Sequence, residues 1–337
     1  MTPAPATPAA PAHTAPPTPP NPAAPTAPAP LRSTPTPLAT PPPTPPHPVA
    51  ATPPVPRSVT DPWTVTSACT AHCVSPGPTG SPATTARRYA AFTRVVTRAG
   101  VLDGAHLADP AVLRSRARAA LAALGVRLHH TGVPLAPAPG TLVVANHISW
   151  LDALALLAAA PLRLLAKREV AAWPLIGTLT TRAGTLYINR TAPRELPRAV
   201  ATVTATLRDG HSVAVFPEAT THCSSPGGTF RPALFQAAID ASAPVQPVTL
   251  TYHRGGHPST APAYVGDTAF TASLRHVARA AGLTVTVHAH PPILSHPHTR
   301  RSLAAAAQHT VHAPPPPATL TPVLPRLRSS GDRAPLS

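Results

Sequence analysis

The sequence predicts an α/β fold, with a mainly parallel sheet flanked by helices between two disordered, proline-rich arms. Three observations predict it. Short apolar runs alternate with helical text from 141 to 253, the grammar of strands joined by crossover helices. The 52 prolines crowd residues 1–56 and return in the tail, where too little apolar surface exists to offset ordering entropy. Between them, 86–294 is a single stretch long enough to bury a core. The expected domains are therefore an arm over 1–85, a folded domain over 86–294 and a tail over 295–337.

The elements follow in order. "ARRYAAFTRVVTRAGVL" (86–102) and "AVLRSRARAALAALGV" (111–126) read as helices with arginine on one side and Ala, Leu or Val on the other. "TLVVA" (141–145) is a short buried strand, followed by a helix beginning near Ser149. "LRLLA" (162–166) is a second strand and "WPLIGTLTTRA" its helix. "TLYI" (185–188) precedes a helix over 193–208, and "SVAVF" (212–216) precedes a loop and the helix "RPALFQAAIDAS". "VQPVTLTYH" (245–253) and "LTVTVHA" (283–289) complete the strands.

Charge narrows the partners. The chain carries +16, of which +11 falls on 86–294, so an anionic or phosphate-bearing partner is expected. Nucleic acid is not expected, because aromatics are only 4% and form no stacking series. The start lacks a basic region followed by an apolar one, as a signal peptide would have. No apolar run reaches the roughly 18 residues that a spanning helix needs. A cytoplasmic chain, peripherally associated with an anionic membrane surface, is the expectation. The docking element would be the helix pair at 86–126, through Arg87, Arg88, Arg94 and Arg98 with Phe92, Val95 and Val96. Cys69, Cys73 and Cys223 make an odd set without the second pair that closes a four-ligand zinc site, so no metal is expected.

Ligands in such sheets sit beyond the carboxyl ends of the strands. That rule selects Asn146-His147, Lys167, Asn189-Arg190 and Pro217-Glu218. In "NHISWLD" the histidine ends a strand and Asp152 opens the next helix, an offset that lets the carboxylate fold back onto the imidazole. A neutral imidazole held on one nitrogen is a general base on the other. The same aspartate also fits a helix-capping pattern with Ser149, which would make it purely structural. Only 11 residues are acidic, so Glu218 directly after a buried strand is informative, whether as a site residue or as a structural ion pair. Lys167 is the single lysine among 27 basic residues, and Arg190 is a natural bidentate partner for phosphate.

These blocks resemble the glycerolipid acyltransferase family, which includes 1-acylglycerol-3-phosphate acyltransferases. "NHISWLD" matches the family's NH-x4-D, "GTLYINR" (184–190) its second block and "FPEAT" (216–220) its third, where Ala219 replaces the usual glycine. "VQPVTL" matches the fourth, and the likeness covers about 110–255. The resemblance implies a glycerolipid acyltransferase-type fold and roles for matching residues. His147 would deprotonate an acceptor hydroxyl and Asp152 would orient it. Arg190, helped by Lys167, would hold a phosphate, while Glu218 and Thr220 would shape the acceptor pocket. The implied reaction moves an acyl chain from acyl-CoA or acyl carrier protein to a lysophospholipid, foremost 1-acylglycerol-3-phosphate, with no cofactor beyond that co-substrate. Alternatives are acylation of glycerol-3-phosphate or of lyso-ornithine lipid, or a non-catalytic scaffold that binds anionic lipid.

Overall fold

The computed structural model describes residues 65–313 apart from 76, 191, 225 and 226. The arms over 1–64 and 314–337 lie outside the described residues. The chain runs through α1 (Pro82–Arg98), α2 (Pro110–Ala123), β1 (Arg127–Gly132), β2 (Leu142–Ala145), α3 (Leu151–Ala159) and β3 (Arg163–Lys167). It continues through α4 (Ile176–Arg182), β4 (Leu186–Ile188), α5 (Leu196–Arg208), β5 (Val213–Val215), α6 (Phe235–Asp240) and β6 (Val245–Arg254). Last come β7 (His257–Pro258), α7 (Phe270–Arg279), β8 (Leu283–Ala289) and α8 (Arg300–His312).

One sheet has the order β1-β8-β6-β2-β5-β3-β4, with β7 hairpinned onto β6. From β6 to β4 the pairings are all parallel, while β8 runs antiparallel to β6 and β1 lies parallel to β8. The sheet is mostly parallel with helices on both faces, as its alternating text requires. β2 shows why. All four of its residues are buried, and Val143 and Ala145 face a layer containing α2, α3 and α7, whereas Leu142 and Val144 face one containing α5, α6 and α8. A strand covered on both faces reads as a continuous apolar run. In β8 the alternation Leu283, Val285, Val287, Ala289 is buried and the residues between are partly exposed.

The structure differs from the sequence reading at both ends of the domain. Beyond residue 294 the chain forms α8, capped by a reciprocal Thr299–Ser302 box. Leu303, Ala304, Ala307 and Val311 bury its inner face in the layer with α5 and α6. The folded domain therefore extends to His312. The proline text that begins immediately after it obscured this alanine-rich helix. Before residue 86, α1 starts four residues early, with Ser81 capping the Thr84 amide and Pro82 as the first helical residue. β1 was also unanticipated. Its residues, RLHHTG, are mostly exposed at the sheet edge and lack an apolar signature.

Candidate active site

The site lies where β2 and β5 end side by side, against the middle of the longer β6. Val144 pairs in register with Val215 and Pro247, so the chain leaving β2 emerges beside that leaving β5. Asn146 fixes this exit. Its amide donates to the Leu250 carbonyl at 3.0 Å and accepts from the Leu250 amide at 2.7 Å, completing the ladder with β6. His147 then turns its ring onto Phe216, stacked at 3.9 Å between centroids and 12° between planes.

Asp152 Oδ2 lies 2.9 Å from His147 Nδ1 and also accepts the backbone amides of Ile148 and Ser149, at 2.7 and 2.8 Å. Its other oxygen accepts the Tyr252 hydroxyl at 2.5 Å. The carboxylate is fully buried, yet every lone-pair direction it needs has a donor. Capping and imidazole contact are thus made by one oxygen at once. With Nδ1 facing a carboxylate, the imidazole is left Nε2 as its basic nitrogen. Burial and the adjacent Asp152 charge hold the Tyr252 phenol well above its usual pKa, so it remains a donor.

Glu218 reaches back under the histidine. Its Oε2 accepts the His147 backbone amide at 2.8 Å, and the Gly228 amide also bonds the carboxyl. The Gly227–Gly228 turn packs so closely that a Cβ on Gly227 would stand 2.1 Å from Oε1. Burial pushes this carboxyl up to about 8, with the Asp152 charge adding to the rise. Near neutral pH it is therefore a protonated acid. Its Oε1 lies 3.4 Å from Nε2 of His312, which burial keeps below its usual pKa and hence neutral. An acid hydroxyl facing a neutral imidazole supplies one proton between two otherwise unpartnered buried atoms.

Arg190 crosses from the end of β4 and donates to the Ala219 carbonyl at 2.6 Å. Burial lowers its pKa while the Glu169 carboxylate opposes the fall, and a guanidinium stays charged under such a shift. Thr220 follows Ala219 in the same loop, partly buried. Lys167 stands at the end of β3 with its ammonium 5.7 Å from the Trp173 ring. The loop is clamped on both sides of His147: the His222 amide donates to the His147 carbonyl, and the Tyr264 amide to that of Ile148, at 2.8 and 2.9 Å.

Sequence reasoning missed three parts of this arrangement. Tyr252 sat inside a strand already read as core. Gly227-Gly228 stood in text read only as a loop before the next helix. His312 lay in text assigned to the tail.

Relatives place this geometry in a family. An acyltransferase family model matches residues 127–251, which include β2, the FPEAT loop and most of β6. The 1-acyl-sn-glycerol-3-phosphate acyltransferase of Neisseria gonorrhoeae is 39% identical over 171 residues, 50% of this chain and 67% of that protein. A lyso-ornithine lipid O-acyltransferase of Pseudomonas aeruginosa is 38% identical over 178 residues, covering 52% and 68%. One from Rhodobacter capsulatus is 34% identical over 224 residues, covering 63% and 79%. With the family model spanning the residues that build the histidine–carboxylate site, and these relatives 34–39% identical over two thirds or more of their own length, the chain belongs to the glycerolipid acyltransferase family.

Proposed function

We propose that this chain acylates the free hydroxyl of a lysophospholipid, with 1-acylglycerol-3-phosphate the favoured acceptor and an acyl thioester of CoA or acyl carrier protein as donor. The observation that carries the reading is the His147–Asp152 pair at 2.9 Å. His147 Nε2 takes the acceptor's hydroxyl proton, the oxygen attacks the thioester carbonyl, and the C–S bond breaks as the tetrahedral intermediate collapses. The departing thiolate recovers the proton from the imidazolium, which completes the balance without an acyl-enzyme. Glu218 acts as a positioning residue through the His147 amide. Arg190, with Lys167 further out, supplies positive charge for the acceptor's phosphate, and Thr220 lines the same pocket. The thioester is a co-substrate, and no other cofactor enters this reading.

A second acceptor has specific support. The Rhodobacter capsulatus lyso-ornithine lipid O-acyltransferase aligns over 63% of this chain, against 50% for the Neisseria gonorrhoeae 1-acyl-sn-glycerol-3-phosphate acyltransferase, and an ornithine carboxylate would pair with arginine as phosphate does. The deciding experiment is an acceptor panel with acyl-CoA and acyl carrier protein donors, comparing wild type with His147→Ala and Asp152→Asn. His147→Ala should lower turnover by roughly 10²–10⁴. Asp152→Asn should lower kcat while the fold persists. Vesicle binding without turnover on any acceptor would favour a non-catalytic scaffold.

The lipid is met by peripheral docking in this reading. Among the described residues no helix is long and apolar enough to cross a membrane. The expected docking helix needs correction, however. Phe92 is buried in the core, and Arg88 donates to the carbonyls of Ala278 and Ala280, so neither stands outward on a membrane-facing surface. Val101 and Leu102, just past α1, are instead 71% and 67% exposed, and the half-exposed Leu175 approaches the preceding Gly100. Leu175 also lines an apolar groove of about 330 Å³ with Phe92, Val96, Trp173 and Phe270, of suitable character for part of an alkyl chain.

A further inference from the structure

All three cysteines of the chain meet at one place. Two come from the segment before α1, where the turn Ala71–Cys73 brings Cys73 around beside Cys69. The third, Cys223, follows the FPEAT loop, 154 residues from Cys69 in sequence. The three sulfurs lie within 4.8 Å of one another, and Cys69 and Cys223 are 3.1 Å apart as free thiols. The Cys223 amide donates to Cys69 Sγ at 3.3 Å, the kind of bond that favours a thiolate. Cys69 and Cys223 also pack against the apolar core, and all three residues are partly buried.

We propose that Cys69, Cys73 and Cys223 bind one thiophilic divalent cation of the zinc class through three thiolates, with water in the fourth position. Sulfurs at about 2.3 Å from a tetrahedral zinc ion stand roughly 3.8 Å apart, within the spread of the present cluster. A disulfide would use two of the three sulfurs and leave the third unexplained. Thiolate ligands select zinc-class ions over magnesium or calcium, and three thiols release three protons as the ion binds. The ion would staple the segment around residues 67–75 onto the loop after β5. That segment already touches the loop through Ser67 Oγ and His222 Nδ1 at 3.2 Å, and His222 holds the His147 carbonyl. The role is structural support one residue removed from the reaction centre. It rests on the sulfur geometry, whatever the acceptor proves to be.

The test uses the full chain, reduced under anaerobic conditions and titrated with Co(II), then Zn(II). One equivalent should bind, with the thiolate-to-cobalt charge-transfer absorption and the visible bands of a tetrahedral site. All three thiols should resist alkylation until a chelator is added. Cys73→Ser and Cys223→Ser should each weaken Co(II) binding by more than about 100-fold, beyond the loss typical of a supporting residue. Should a variant fail to fold, the wild-type spectrum and thiol protection still decide. A reduced chain without the charge-transfer absorption, or with thiols that react equally fast with and without metal, overturns the proposal. So does a cobalt spectrum that survives Cys223→Ser, or a Cys69–Cys223 disulfide as the species present after reduction and metal loading.

Discussion

Ala219 holds a φ of 59°, in the left-handed region that a side chain disfavours, while its carbonyl accepts Arg190. Glycine is the family's usual residue there, and the backbone explains why. Left-handed placement costs roughly 1–2 kcal/mol for a residue bearing Cβ, partly offset by alanine's lower unfolded-state entropy. Ala219→Gly should therefore raise stability by up to about 1 kcal/mol, read from denaturant midpoints, and should not harm turnover. A destabilised glycine variant would show that the loop has adapted to alanine. Glu218 offers a second test. Its folded pKa of about 8 lies above the ordinary 4.5, so the folded chain keeps a proton that the unfolded chain releases. Its contribution to stability is complete below about pH 4.5 and is lost as pH rises toward 8. The depressed His312 works in the opposite sense, losing stability as pH falls through its ordinary 6.5 and below. Above pH 6.5 the Glu218 slope should stand clear of it. Glu218→Gln keeps an oxygen for the amides and a donor for His312, so it should flatten thermal stability between pH 6.5 and 8.5. At pH 8.5 it should exceed wild type by an amount on the order of a few kcal/mol. Equal slopes in both proteins would mean that Glu218 is ionised.

At the level of elements, α8 is the part that composition concealed. It joins the core through Leu303 and Val311, receives the Thr249 hydroxyl on the Val311 carbonyl at 2.8 Å, and holds the Phe230 amide with Gln308 at 2.8 Å. Two large apolar side chains and these bonds amount to roughly 5 kcal/mol, comparable with the whole stability of many domains. Ending the chain at 296 should therefore yield a protein that is unfolded or inactive, whereas ending it at 313 should preserve the thermal transition. Circular dichroism melts of the two truncations check this. The strands carrying the motifs were legible because burial on both faces forces an uninterrupted apolar run, as in Leu142–Ala145 and Val213–Val215. Edge strand β1 and helix α8 were not. The first is held chiefly by backbone pairing to β8, and the second adjoins proline-rich text. Site residues were legible where a strand end announced them, His147 and Glu218 among them. Tyr252 and His312 reach the site only through tertiary packing.

For the whole molecule, the strongest outward feature is the pairing of charge with exposed apolar surface. Of the seven arginines over 86–118, Arg88, Arg116 and Arg118 are engaged with Ala278 and Ala280, Asp103, and Ala158. Arg87, Arg94 and Arg98 are exposed on α1, which leads directly into Val101 and Leu102. Each arginine near an anionic surface is worth on the order of 1 kcal/mol, so changing all three to Gln should weaken vesicle binding by roughly 100-fold. Sedimentation with anionic vesicles at rising salt measures it, and Val101→Asp with Leu102→Asp should compound the loss. Binding that ignores both salt and these changes would place the docking face elsewhere.

The order of strands has a consequence for how the molecule comes into being. β1 waits for β8, since Arg127 pairs with Thr284, and Glu218 waits for His312. A chain made from its amino end therefore presents β1 with an open flank, and the motif carboxyl with an open cavity, until nearly all of the described fold has left the ribosome. Such delayed pairings slow folding and leave strand edges unpaired in the meantime. In a cell, the demand of this sequence on chaperones should rise with any pause in synthesis before α8.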